Sequence, residues 1–119
     1  MHKYQIAFND AVAGVVKQGD FGYDSVTGCM YRTPEGLKCA IGHLIPDDKY
    51  DENFEKVGLT AVIASGALEP YGLGAEDAPF LTELQASHDM ARDIQDFIVL
   101  ANEVGQEFGL EAWKPEGDA

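Results

Sequence analysis

The stretch CMYRTPEGLKCAIGHLI, residues 29–45, decides how this chain is read. Thr33-Pro34-Glu35-Gly36 has the form of a tight turn, with proline second and glycine fourth. Cys29-Met-Tyr-Arg32 before it suits a short strand, and Leu37 starts the return arm. The stretch therefore predicts a β-hairpin. Lys38 to Ile45 stays open between a continued strand and a short helix stopped by Pro46. Outside the hairpin the patterns are helical. Tyr4, Phe8, Ala11, Val12, Val15 and Val16 repeat at helical spacing over residues 3–18, with Gly19 in the place of a C-terminal cap. Leu59 to Ser65 reads as a short helix ended by Gly66.

Phe80, Leu81, Leu84 and His88 share one helical face, with Asp77 as N-cap and Pro79 in the first turn. Ile94, Phe97, Ile98, Ala101, Val104 and Phe108 share another, stopped by Gly109-Leu110. One helix from 78 to 108 would be unusually long, and Ser87-His88-Asp89 supplies a local cap, so the break is placed there. The expected class is α+β: an N-terminal helix, a small β-hairpin or antiparallel sheet, and two or three further helices, the C-terminal one long. A chain of 119 residues reads as a single domain, 1–119, with 111–119 a polar tail from which Trp113 folds back.

The chain carries 21 acidic and 8 basic residues, a formal net charge of −13. That sign opposes direct binding to nucleic acid, where Lys and Arg must neutralise phosphates, and to anionic membrane surfaces. It favours cations and basic protein surfaces. The N-terminal stretch lacks an apolar core like that of a signal peptide, and no run approaches the roughly 18 apolar residues that span a bilayer. The expected location is the cytoplasm, where two cysteines stay reduced.

Three kinds of chemistry compete at the cysteines. Cys39 and His43, four apart, would lie on one face of a helix roughly 6 Å apart, where a histidine could take a thiol proton. Cys39 with His88 as base and Asp89 orienting the imidazole would make a thiol-dependent hydrolase or transferase. Cys29, Cys39, His43 and His88 have the ligand count of a closed zinc site, although the spacing C-x9-C-x3-H-x44-H matches no common zinc knuckle. Against all three stands the plain reading that the cysteines are core residues. No phosphate loop, dinucleotide fingerprint or nucleophile elbow is present, so the chain leans away from enzymes and needs no cofactor. Asp47, Asp48, Asp51, Glu52 and Glu55 form an acidic loop that lacks the oxygen order of a calcium loop. They are either a solvated charge run or a docking patch for a basic partner, extended by Asp77, Asp93, Asp96, Glu103 and Glu107.

The run Cys29-Met-Tyr-Arg32 … Gly36-Leu-Lys-Cys39-Ala-Ile-Gly42 … Leu44-Ile-Pro-Asp47, with Leu84-Gln85 … His88-Asp89, resembles the signature of small proteins encoded by tailed bacteriophages and prophages. Position 43 lies outside the shared wording. The group has no assigned activity. The resemblance implies an accessory protein, monomer or small homo-oligomer, that modulates or inhibits a host enzyme or defence complex by binding it.

Overall fold

The computed structural model describes residues 3–24 and 28–115, with 23, 24, 28 and 29 described in backbone alone. Among these residues the fold is helical. Helix α1 spans Lys3–Gln18, α2 Leu59–Ala64, α3 Ala78–Met90 and α4 Ile94–Glu107. Short 3-10 turns at Ile41–Leu44, Glu52–Lys56, Glu69–Tyr71 and Ala75–Asp77 connect them.

The α+β expectation is overturned. Extended pairing among the described residues amounts to a two-residue antiparallel ladder, Tyr23 opposite Cys29 and Asp24 opposite Gly28, upstream of the expected hairpin. The turn itself is present: the Gly36 amide donates to Thr33 O at 2.9 Å and Thr33 N to Leu37 O at 2.8 Å, with Gly36 at φ +91. One further backbone bond joins the arms, Cys39 N to Met30 O at 3.2 Å, but they do not become strands, because side chains take other backbone groups along them. The Tyr31 and Arg32 amides donate to the Glu55 carboxylate at 2.9 and 3.1 Å. Gln18 accepts from Lys38 N at 2.8 Å and donates to Lys38 O at 3.0 Å. The Ile41 amide donates to Gln85 Oε1 at 3.2 Å. A buried backbone group needs a partner, and a side chain satisfies it as well as a strand does. Within the open stretch 38–45, Ile41–Leu44 forms a 3-10 turn and no residue is in a strand.

The helices form where the apolar periods predicted. In α1, Phe8, Ala11, Val12 and Val15 are fully buried, and Gly19 at φ +79 closes the end. At α4, Gly109 at φ +75 and the bonds Leu110 N to Gly105 O (2.8 Å) and Gly109 N to Gln106 O (3.1 Å) form a Schellman cap. The α3–α4 break falls at residues 91–93, not at 87–89. Ser87 donates back to Leu84 O inside α3 at 2.6 Å, and Asp93 does the capping, accepting from Asp96 N at 2.8 Å. Asp77 holds the N-cap position of α3 as expected, but its side chain makes no capping bond to that helix. It lies 1 % exposed, accepting from Tyr4 at 2.6 Å, Lys3 at 3.1 Å and Gly74 N at 2.9 Å. It therefore adds nothing to the acidic surface.

Helices α1, α3 and α4 enclose one apolar core centred on Phe8, Phe80, Leu84 and Phe97. Tyr4 stacks on Phe80 with centroids 4.3 Å apart. Two amides on this frame repeat the clamp made by Gln18. Gln5 accepts from Glu111 N at 2.8 Å and donates to Glu111 O at 3.2 Å. Asn102 accepts from Trp113 N at 2.8 Å and donates to Trp113 O at 3.2 Å. The polar tail is thus held through residue 113, with Trp113 folded back as expected, while 116–119 lie outside the described residues.

Candidate functional site

Residues 30–56 close into two adjoining loops, and one arginine joins them. Arg32 Nη2 donates to Ile45 O at 3.0 Å and pairs with Asp47 Oδ1 at 2.8 Å. Its guanidinium lies over the Tyr50 ring, 4.4 Å from the centroid, a cation–π contact. The Tyr50 hydroxyl donates to Glu55 Oε2 at 2.6 Å. Burial and then the Glu55 bond raise its pKa. Glu55 thus receives Tyr31 N, Arg32 N and Tyr50, so the carboxylate is the hub between the loops. Around this hub opens a groove of about 730 Å³ lined by Arg32, Pro34, Tyr50, Glu52, Asn53 and Lys56, among others.

The acidic loop divides. Asp47, Asp48, Asp51 and Glu52 are exposed; Glu55 is half-buried and faces inward. Asp51 also caps the turn Glu52–Lys56, accepting from Asn53 N at 2.8 Å. Asp47 stays 87 % exposed although it pairs with Arg32.

The two glycines of the signature stretch have different work. Gly36 supplies the positive φ of the turn. Gly42 lets two backbones meet, since a Cβ there would sit 2.1 Å from Tyr31 O.

Cys39 is 1 % exposed, and Gly42 N donates to its sulfur at 3.3 Å. Burial pushes the thiol up to about 12; the Gly42 amide bond opposes this, the Asp89 charge adds to it, and bonds from Gln85 and Ile41 oppose it more weakly. Cys39 and Asp89 share the wall of a small polar cavity of about 190 Å³ with Tyr31, Glu55 and Gln85. Burial also raises Tyr31, to about 12. Asp89 Oδ1 accepts from Gln85 Nε2 at 3.0 Å and lies 3.1 Å from His88 Nδ1. The His88 ring turns away from that cavity's lining and packs edge-on against Phe21 at 5.0 Å and Phe97 at 6.1 Å. Its Nε2 is buried without a hydrogen-bond partner among the described residues, as are His43 Nε2 and Arg32 Nε.

His43 packs on α1, where a Cβ at Gly14 would lie 2.6 Å from its ring. Burial, then Lys38, His88 and Arg32, lower its pKa to about 4. Among the described residues no group of three His, Cys, Asp or Glu is placed to hold a metal ion. The side chain of Cys29 lies outside them. Sequence reasoning missed Gln18, Arg32, Tyr50 and Gln85 as organising residues. Of these, Arg32 and Gln85 stood inside the quoted motifs.

No family model, curated protein or solved structure matches this chain. The resemblance to phage and prophage proteins, and the role as an inhibitor of a host or defence protein that it implies, therefore rest on the motif alone. No helix among the described residues is long and apolar enough to cross a membrane.

Proposed function

We propose that this chain acts by binding a basic protein surface through the loop 47–52, in the manner of the host or defence target that the motif resemblance implies. The supporting observation is that exposed Asp47, Asp48, Asp51 and Glu52 stand on a loop anchored on both sides, by the Arg32 bond to Ile45 O before it and by Glu55, which accepts from the Tyr31 and Arg32 amides, after it. A tethered loop presents its charges with little ordering left to do on association. The net charge of −13 adds long-range attraction for a cationic partner.

A 12-residue arginine–lysine peptide, titrated into isotopically labelled protein, tests this. Shifts centred on 47–56 that fade between about 50 and 500 mM salt are expected, as screening shortens. Their loss is expected in the variant Asp47→Asn, Asp48→Asn, Asp51→Asn, Glu52→Gln. Shifts spread evenly over every acidic side chain would contradict it.

A thiol-dependent reaction at Cys39, His88 and Asp89 is the second reading, supported by the His88–Asp89 contact and by the cavity that Cys39 and Asp89 share. Its difficulty is chemical: a nucleophile needs its thiolate, and burial holds this thiol protonated. Iodoacetamide labelling of a Cys29→Ser variant at pH 8 separates the two readings. Binding alone predicts labelling of Cys39 only at the rate of unfolding. Fast labelling of the native protein, slowed by His88→Ala, would restore the enzyme.

A further inference from the structure

A second surface lies on the helical frame. On α3, Glu83, Ala86, Ser87 and Met90 recur at intervals of three and four, so they form one stripe along the helix. On α4, Leu100, Glu103, Val104 and Glu107 do the same. The helices join through residues 91–93 and run back along each other, and the two stripes together line a groove of about 190 Å³. The floor is apolar, from Ala86, Leu100 and Val104. Met90 stands at 71 % exposure, the most exposed large apolar side chain among the described residues. Glu83, Glu103 and Glu107 are exposed along the rim. No Lys, Arg or His lines the groove, and none of these three glutamates takes part in an ion pair between described residues.

An apolar floor between two helices, with an adaptable methionine at its edge, is the form that receives an amphipathic helix. The rim decides which helix. Three unpaired carboxylates favour lysine or arginine flanking the apolar anchors. They disfavour a second copy of this chain, which would bring its own −13 to the contact. The stripe also differs from the face of α3 that carries Gln85 and Asp89, which serve the loop side of the molecule.

We infer that the α3–α4 groove docks a cationic amphipathic helix of a partner protein, with apolar side chains between Leu100 and Val104 and its basic residues against Glu83, Glu103 and Glu107. This surface is independent of the acidic loop.

The probe is a 21-residue peptide of leucine and lysine in heptad order, with a scrambled peptide of the same composition as control. Titrated into the labelled full chain, the heptad peptide shifts resonances along 83–107, and the scrambled one does not. The variant Glu83→Gln, Glu103→Gln, Glu107→Gln weakens binding about ten-fold through lost charge complementarity. Met90→Gln, at a position exposed enough to leave the fold intact, weakens it about three-fold through lost apolar contact. The loop variant Asp47→Asn, Asp48→Asn, Asp51→Asn, Glu52→Gln keeps the heptad peptide's shifts along 83–107. Equal shifts along 83–107 from the scrambled peptide, heptad-peptide shifts confined to 47–56, or α3–α4 resonances that move with protein concentration alone would each overturn the inference.

Discussion

The helical frame and the loop region 28–58 are held by different forces. In the frame, Phe8, Phe80, Leu84 and Phe97 exclude water, and stability grows with the apolar area they remove from it. In the loop region, Glu55, Gln18 and Gln85 hold the chain by hydrogen bonds from side chain to backbone. The frame can absorb small changes by repacking. The loop depends on single carboxylates and amides, each with one geometry, and on Gly42, whose missing side chain lets its backbone approach that of Tyr31.

The largest effect should come from the frame. Phe97→Ala removes a fully buried ring from between α4 and its neighbours and should cost about 4 kcal/mol in chemical denaturation. Gly42→Ala should follow at about 3 kcal/mol, because its Cβ meets rigid backbone at Tyr31 instead of a side chain that can move. If Gly42→Ala were neutral, the close approach would carry no weight and the comparison would fail at its loop end. Gln18→Ala should cost about 2 kcal/mol by leaving both polar groups of Lys38 unpaired. A matching loss of melting temperature without change at α3–α4 resonances would sharpen the comparison.

The smallest effect is on pH dependence. His43 has its pKa lowered from 6.5 to about 4 by burial, then by Lys38, His88 and Arg32. The unfolded chain therefore binds a proton that the folded one refuses. Stability from this group is complete above pH 6.5 and falls as pH drops from 6.5 toward about 4. Denaturation midpoints for His43→Gln should be flatter across that window. Asp77 acts at lower pH. Burial raises it, but the bonds from Tyr4, Gly74 and Lys3 together win and lower it. Its contribution is present above the ordinary carboxylate pKa of 3.8 and disappears as pH falls through its depressed value.

What could be read from sequence follows the same division. Apolar side chains at three- and four-residue intervals announce α1 and α4, and Gly19, Gly66 and Gly109 mark where helices stop, because periodicity and positive-φ glycines are local signals. The turn at Thr33–Gly36 was legible for the same reason. The hairpin was not there to be found. Whether an extended arm becomes a strand depends on what partners its backbone, and here the partners are Gln18, Glu55 and Gln85, distant in sequence and unremarkable in type. The α3–α4 break was misplaced because Ser87 and Asp89 have cap-forming side chains, yet both bond within or beside α3. Of the acidic loop, exposure was foreseeable from charge; the inward turn of Glu55 was not, since it depends on Tyr50 and on the amides of Tyr31 and Arg32.

The account rests on helix-borne side chains standing in for strands, and the Lys38 amide reports this most directly. Its bond to Gln18 Oε1 is 2.8 Å long. Native-state hydrogen exchange should show Lys38 protected in the parent and exchanging at least about ten-fold faster in Gln18→Ala, as expected when a half-buried amide loses its acceptor. The α4 amides should keep their protection in both. A Lys38 amide that exchanges freely in the parent, or stays protected without Gln18, would contradict the account.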